Sequence, residues 1–379
     1  MGGADRTIEG GGGPTDGGVG VLPAPARRAR LRAALGYALA AACLVWVLHD
    51  YDVRDLVRRV AAMNLRLVVA AILCDVLSYV CQGARRRLLL RSFGSLSVRR
   101  CTQAVYAGLF TNEVAPMKPG DLVRAYLVSR WMSVRLVTVA ATILVERLFD
   151  GVWLAAASLV AVIFLPLPRK LVEAGDVFGV AVLILLVLFI FTAFGGGDAA
   201  GELAAAGEGG IGRAGQDAAG SEAPGGESAG RRVSRWVSAM VARLRVELRS
   251  IGRTRGAPPA FALTLAQLLL QALSFWLVMR AYGLRLAPAA GAAVFLIVHL
   301  GTVVPGAPAN VGTYQFFIVL GLTLFGMNKP AAAGFSLVVF TILTVPLWAI
   351  GFWALGRSGM TLFEVRAALW KNRLAPTQK

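Results

Sequence analysis

Apolar runs of about the length of one membrane span recur along the chain. A helix that crosses the ~30 Å hydrocarbon core needs about 20 apolar residues, because each residue adds about 1.5 Å. Runs of this kind occupy residues 33–49, 65–84, 177–195, 259–281 and 330–355. The stretch 136–166 is longer than one span and predicts either one tilted helix or two pieces. The pattern predicts an all-α fold, a polytopic bundle of transmembrane helices.

Two further apolar stretches are interrupted by proline and glycine. The first covers residues 101–131 and breaks at Pro116–Gly120, and the second covers residues 289–326 and breaks at Pro305–Pro308. The apolar piece before each break has about 15 residues, or about 22–24 Å of helix, which is shorter than the hydrocarbon core. We therefore predict two helix–break–helix units, each either re-entrant or a short tilted span.

The distribution of arginine predicts the topology. Residues 85–100 contain six arginines and no acid, and residues 231–255 contain eight arginines. The positive-inside rule places both segments in the cytoplasm. With this assignment the two broken units enter from opposite faces of the membrane, as in transporters built from inverted repeats. Two ordinary kinked helices are the alternative interpretation.

The same patterns divide the chain into five parts, and we expect an uncleaved inner (plasma) membrane protein with cytoplasmic termini. The insertion combines a Gly-, Ala-, Glu- and Ser-rich segment with a basic amphipathic helix at 233–252 that suits an anionic membrane surface. The parts are a disordered basic tail (1–32), a first transmembrane half (33–195), the cytoplasmic insertion (196–256), a second transmembrane half (257–357) and a basic cytoplasmic tail (358–379).

Composition excludes several functional classes. The chain is 57% hydrophobic and 16% charged, against about 25% charged in soluble domains. The formal charge of +18 comes from arginines that flank apolar runs, which favours membrane topology over nucleic-acid binding. Four cysteines without CxxC spacing and two histidines predict no metal or other cofactor. We find no HExxH or P-loop motif, so we expect neither enzymatic activity nor direct ATP use.

Three charged residues lie together inside an apolar segment. Glu146, Arg147 and Asp150 share one helix turn, and each charge at bilayer depth costs at least ~2.5–3.5 kcal/mol. One interpretation is a self-neutralising ion cluster that locks helices together. The other is a binding site, in which Arg147 holds an anionic headgroup phosphate while the two carboxylates position it or bind cations.

The first break carries a second candidate site. Asp121, preceded by Gly120, can cap the helix that follows. Helix N-termini attract anions, and Lys118 and Arg124 add positive charge beside this one. An interfacial loop with basic side chains that reach the membrane surface is the alternative.

The second break is polar but uncharged. It offers amide and hydroxyl groups for the neutral parts of a headgroup, or it acts as a hinge. Asp75 and His299 are isolated polar residues within apolar segments, and for His299 a packing role is favoured over a proton relay. The candidate residues of the break are Pro305, Pro308, Asn310, Gly312 and Tyr314.

Three motifs occur in a fixed order: NEVAPMKPGDLVRAYLVSR, ATILVERLFDG and VPGAPANVGTYQFFIVLGLTLFG. Over residues 35–355, apart from 196–256, the chain resembles the flippase-like family typified by the transmembrane region of lysylphosphatidylglycerol synthases. The resemblance implies a multi-span helical fold and handling of lipid or lipid-linked headgroups. It also implies roles for Gly120, Asp121, Arg124, Glu146, Arg147, Asp150, Pro305, Gly312 and Tyr314.

The sequence departs from the family pattern at three positions. Family members often have Glu where Asp121 stands, Gly where Ala309 stands and Glu where Gln315 stands. The last change removes a carboxylate that would recognise a headgroup amine. The soluble aminoacyl-transferase domain of the synthases has no counterpart in this sequence, so we do not expect lysyl transfer.

The leading hypothesis is therefore a flippase or transporter for an anionic phospholipid or a polyprenyl-phosphate-linked lipid. Arg124, Arg147 and Lys118 would take the phosphate, and Glu146 and Asp150 would hold the arginine and cations. A membrane transferase acting on a lipid-linked substrate is one alternative. The other is a non-catalytic partner or regulator of a separate synthase or glycosyltransferase, docking through residues 233–252.

Overall fold

The computed structural model describes residues 25–49, 53–115, 119–164, 255–302 and 308–359, with single positions at 180 and 184. Every regular element in these residues is helical, so the predicted all-α class is confirmed. The predicted amphipathic helix 233–252 and nearly all of the predicted span 177–195 lie outside the described residues. The helices are α1 (Pro25–Leu48), α2 (Val53–Ala61), α3 (Leu65–Leu90), α4 (Val98–Val114), α5 (Gly120–Met132), α6 (Leu136–Phe164), α7 (Ala257–Ala281), α8 (Pro288–Gly301), the 3₁₀ turn η1 (Pro308–Asn310), α9 (Thr313–Leu324) and α10 (Lys329–Gly356).

Polar side chains fix the starts of two long helices. Asn64 Oδ1 accepts a hydrogen bond from the Arg66 backbone N–H at 3.1 Å, and Asn328 Oδ1 accepts one from the Ala331 N–H at 3.1 Å. Each bond satisfies a backbone donor that the helix itself cannot pair. These caps begin α3 and α10, which carry the apolar runs predicted from the sequence.

Three helices in the described part of the chain, α3, α7 and α10, are long and apolar enough to cross a membrane. Large apolar side chains point outward from them, including Leu73, Leu269 and Phe352, which are 63%, 59% and 70% exposed. An apolar exterior of this kind suits lipid rather than water. The stretch that begins at residue 136 forms one continuous helix, α6, so its alternative interpretation as two pieces is wrong.

The same order of long and short helices occurs in two successive sets of four helices. Helices α3 to α6 have 26, 17, 13 and 29 residues, and helices α7 to α10 have 25, 14, 12 and 28 residues. Each set is a long helix, two short helices separated by a break, and another long helix. The two predicted helix–break–helix units are therefore α4–α5 and α8–α9.

The first helices of the two sets, α3 and α7, pack side by side in opposite directions. The backbone N–H of Asn64, before α3, donates to the Ala281 carbonyl at the end of α7 at 3.4 Å. Toward the other end, Arg85 of α3 donates to Thr264 Oγ1 near the start of α7 at 2.9 Å. Corresponding helices that run antiparallel are what an inverted repeat requires, and this arrangement supports that interpretation.

A glycine allows close packing at the start of the second short helix in each unit. A Cβ atom on Gly120 would overlap the carbonyl oxygen of Gly108, where α5 returns against α4. A Cβ atom on Gly312 would overlap the carbonyl oxygen of Ala40 in α1, and Gly312 also has φ +87°. Both glycines are therefore required by backbone contacts, which accounts for their place in the sequence motifs.

Candidate functional site

Seven charged side chains from three helices meet toward the end of α3 and the start of α7. Helix α3 supplies two arginines, α5 an aspartate and an arginine, and α6 two carboxylates and an arginine. We call this group the arginine–carboxylate network, and it consists of Arg85, Arg86, Asp121, Arg124, Glu146, Arg147 and Asp150.

The inner part of the network is buried. Arg86 binds Glu146 through two parallel hydrogen bonds, from Nε to Oε1 at 2.9 Å and from Nη2 to Oε2 at 2.6 Å, and both side chains are inaccessible to solvent. Arg85 donates from Nη1 to Asp150 at 2.5 Å and to Thr264 Oγ1 at 2.9 Å. Bidentate pairing of this kind is among the strongest polar interactions in proteins. The inner pairs therefore connect α3 rigidly to α6 and α7.

The outer part of the network centres on Asp121. This carboxylate accepts hydrogen bonds from Arg147 Nη2 at 2.9 and 3.0 Å and forms an ion pair with the buried Arg124 at 2.5 Å. Arg147 is about half exposed, with 52% of its side chain accessible. Arg147 is thus held mainly by Asp121 and only weakly by Asp150, at 3.8 Å, while Glu146 pairs with Arg86.

The predicted capping role of Asp121 is wrong. Pro119 is the N-cap of α5, and Asp121 makes no capping hydrogen bond there. The Gly120 N–H instead donates to Asn112 Oδ1 at 2.6 Å. Charge-assisted bonds to two guanidinium groups are stronger than a bond to a neutral backbone donor, so the Asp121 carboxylate turns toward the arginines.

The network has an excess of positive charge and of hydrogen-bond donors. Four guanidinium groups face three carboxylates, which leaves a net charge of +1. In the described residues, three buried guanidinium nitrogens lack a hydrogen-bond partner: Arg85 Nε, Arg86 Nη1 and Arg124 Nε. A buried donor without a partner costs about 1–3 kcal/mol. The network is therefore chemically suited to an anion with several acceptor oxygens.

Arg85 and Arg86 were not among the candidates from the sequence. The run of arginines over 85–100 predicted a cytoplasmic loop, but α3 continues to Leu90 and buries both side chains. The sequence did contain a signal that Arg86 is buried. Its spacing from Asp75 and Tyr79 places all three residues on the same face of a helix. The positive-inside rule counts charges near a membrane face and does not separate buried arginines from solvated ones.

A second polar site lies where the two broken units interrupt their helices. A cavity of about 170 Å³ lies between α3, α4, α7, α8, η1, α9 and α10. Asp75 and His299 both line it, so they are not isolated from other polar groups as the sequence suggested. We call it the central cavity, and its polar lining consists of Asp75, Tyr79, Glu113, Gln271, His299, Thr302, Asn310, Tyr314 and Thr344.

The central cavity lies near the middle of the long helices. Asp75 is about 15 Å from the start of α3, a helix of about 39 Å, and Gln271 is about 21 Å from the start of α7, a helix of about 37 Å. Binding sites at the interface of two repeats, near the bilayer midplane, are typical of transporters with discontinuous helices. His299 lies on α8, which contacts α6, the helix that carries Glu146, Arg147 and Asp150, so the cavity and the network share neighbouring helices.

The remaining candidates fall into three groups. Asn310 and Tyr314 line the central cavity, whereas Gly312 packs against α1. Pro308 begins η1. Lys118 and Pro305 lie outside the described residues.

Two departures from the family pattern have local structural explanations. Gln315 is buried, and its Oε1 accepts a hydrogen bond from the Gly312 N–H at 2.7 Å. This bond pairs a backbone donor at the start of α9. Ala309 has φ +56°, a left-handed conformation that glycine adopts without strain. A glycine at this position in relatives is therefore expected from backbone geometry alone.

Long apolar helices, two broken helical units and buried polar sites define a polytopic membrane protein with a polar interior. The chain matches the family described as the lysylphosphatidylglycerol synthase TM region over residues 33–351. It belongs to that family, as the three motifs predicted, and the family links it to lipid synthesis or transport. A search of curated proteins returned no match.

Proposed function

We propose that this protein moves an anionic lipid, either a phospholipid or a polyprenyl-phosphate-linked lipid, between the leaflets of the plasma membrane. The observation that carries the proposal is the arginine–carboxylate network, with its net charge of +1 and three buried guanidinium nitrogens without partners. A phosphate has the charge and the acceptor oxygens to satisfy those donors.

The outer arginines are the primary phosphate ligands in this proposal. Arg147 is half exposed, so a headgroup reaches it first, and Arg124 lies behind it with Nε free for a further bond. Asp121, which holds both arginines, is the group that an incoming phosphate would displace. The buried pairs of Arg86 with Glu146 and of Arg85 with Asp150 keep their partners and position α3 against α6. Lys118 would add one more positive charge at the same break.

Movement of the headgroup uses the central cavity. The cavity lies between the two broken units, and rocking of one unit against the other would expose it to each face in turn. Arg91, Arg99 and Arg100, which follow α3, support a network toward the cytoplasmic face and cytoplasmic termini by the positive-inside rule. We propose transport without catalysis and without direct use of ATP.

Arg124→Gln is expected to slow lipid movement by at least about tenfold. Hydrogen bonds to charged groups contribute about 1.5–3 kcal/mol, which corresponds to tenfold or more in a rate or an affinity. The measurement is dithionite quenching of acyl-labelled phosphatidylglycerol and, separately, of labelled polyprenyl phosphate in liposomes that contain the purified full-length protein.

Arg130→Gln is the matched control, because Arg130 lies on α5 like Arg124 but is exposed and outside the network. It should move both lipids at the wild-type rate. Wild-type protein that moves neither lipid faster than protein-free liposomes would refute the proposal. Equal rates for the wild type and Arg124→Gln would refute the role of the network.

A further inference from the structure

Three oxygen-bearing side chains of the central cavity lack a hydrogen-bond partner for an acceptor oxygen in the described part of the chain. Asp75 is 7% exposed, and in the described residues its carboxylate has no hydrogen-bond or ion-pair partner. Gln271 Oε1 and Asn310 Oδ1 are also buried without a partner. Glu113, whose Oε2 accepts a hydrogen bond from Trp348 Nε1 at 3.4 Å, adds a second carboxylate to the lining. A buried carboxylate without compensation is costly, so this arrangement calls for a donor or a positive charge.

The ends of the short helices add further negative potential. Helix α4 ends one residue after Glu113, and α8 ends one residue before Thr302, and both residues line the cavity. The C-terminus of a helix carries a partial negative charge from its unpaired carbonyl groups. One helix N-terminus, that of α9 beside Tyr314, opposes these two ends. The helix dipoles thus favour a cation on balance.

Aromatic rings complete the lining. Tyr79, Phe275, Phe295, Tyr314 and Phe340 all border the cavity. The face of an aromatic ring attracts cations, and desolvated sites strengthen that attraction. Among the described lining residues there is no lysine or arginine, and His299 is the one basic group. The charge of the central cavity is therefore opposite to that of the neighbouring network.

We propose that the central cavity binds a cationic group, either a free monovalent cation or the ammonium of a lipid headgroup. Its volume corresponds to five or six water molecules at about 30 Å³ each, which accommodates a partly hydrated alkali ion or a short alkylammonium. Asp75 and Glu113 supply the charge, and the Gln271 and Asn310 oxygens supply further contacts. The inference deepens the proposed function by adding a subsite of opposite charge, but binding itself does not depend on transport.

Titration of full-length protein in detergent tests the proposal. Sodium chloride and ethanolamine hydrochloride are added separately, and the midpoint of thermal unfolding and the heat of binding are recorded. At least one of the two cations should raise the midpoint saturably, whereas the bulkier N-methyl-D-glucamine at equal ionic strength should not. A response to sodium identifies a free cation, and a response to ethanolammonium alone identifies a headgroup ammonium.

Asp75→Asn should weaken the apparent affinity for the cation at least tenfold. Glu113→Gln should also weaken it, and this variant supplies a second test if Asp75→Asn does not fold. Asp55→Asn is the matched control, because Asp55 pairs with Arg59 on α2. This variant should bind the cation with the wild-type affinity. Arg124→Gln should also keep cation binding, which separates this site from the lipid site. No saturable response in the wild type, or unchanged affinity in both cavity variants, would overturn the proposal.

Discussion

Glu146→Ala is expected to lower the free energy of unfolding by about 3–5 kcal/mol, the usual effect of removing one partner of a buried ion pair. Glu146 is inaccessible to solvent and accepts two hydrogen bonds from Arg86, which is equally buried. Without the carboxylate, Arg86 is a buried charge in an environment that already contains three other arginines of the network. The measurement is unfolding of the purified protein in detergent, monitored by circular dichroism.

Two comparisons isolate the cause. Arg147→Ala removes a half-exposed member of the same network, so its effect should stay within about 0–1 kcal/mol. The double variant Arg86→Met with Glu146→Leu removes both charges, leaves the net charge of the network at +1 and should be far less destabilised than Glu146→Ala. Equal losses for Glu146→Ala and Arg147→Ala would show that the Arg86–Glu146 pair does not hold α3 against α6.

The two interpretations that the sequence left open for Glu146, Arg147 and Asp150 correspond to different parts of the network. An ion cluster that locks helices describes the inner pairs, where Arg86 and Arg85 bind Glu146 and Asp150. The proposed anion site uses the outer pair, where Arg147 is 52% exposed and binds Asp121 at 2.9 Å. One helix, α6, contributes to both because its charged residues point to different neighbours.

Hydrophobic patterning predicted the long apolar helices in the described residues, because length and apolarity are local properties, but it did not predict α2. The breaks at Pro116–Gly120 and Pro305–Pro308 predicted the division into α4–α5 and α8–α9. The partners of the charges were not predictable in the same way. Arg86 lies 60 residues from Glu146 in the sequence, and which face of α3 meets α6 depends on packing that no local pattern encodes.

The central cavity was harder still to predict. Its lining combines residues from six helices and η1, and each element contributes only one or two polar side chains within an apolar segment. The breaks pointed to its position, because interrupted helices leave polar backbone groups that a packed bundle places together. The side chains that face the cavity from α3 and α7, Asp75 and Gln271, carry no such sequence signal.

The two sites have opposite charges, so they would bind different chemical groups. Three buried guanidinium nitrogens of the arginine–carboxylate network lack partners, and so do the Gln271 and Asn310 side-chain oxygens of the central cavity. A lipid with a phosphate and an ammonium would find a complementary group in each, whereas a lipid with a phosphate alone would need a free cation in the cavity. The titration with sodium and ethanolammonium therefore decides between a headgroup ammonium and a free cation.

Gly312→Ala is expected to lower the free energy of unfolding by about 2–5 kcal/mol, because two effects act at one residue. Gly312 has φ +87°, and a left-handed conformation costs a residue with a side chain roughly 1–2 kcal/mol. The new methyl group would also overlap the carbonyl oxygen of Ala40, and overpacking of this kind costs about 1–3 kcal/mol. Relief of the overlap requires α1 to move away from the start of α9.

Gly326→Ala separates the two effects. Gly326 has φ +77°, but nothing lies within 4 Å of its added Cβ atom, so this variant experiences backbone strain without overlap and should lose only about 1–2 kcal/mol. The difference between the two variants in detergent unfolding then measures the contact of α1 with α9. Equal losses would mean that α1 does not pack against Gly312. A larger loss at Gly312 should be accompanied by weaker cation binding, because Asn310 and Tyr314, on either side of it, line the central cavity.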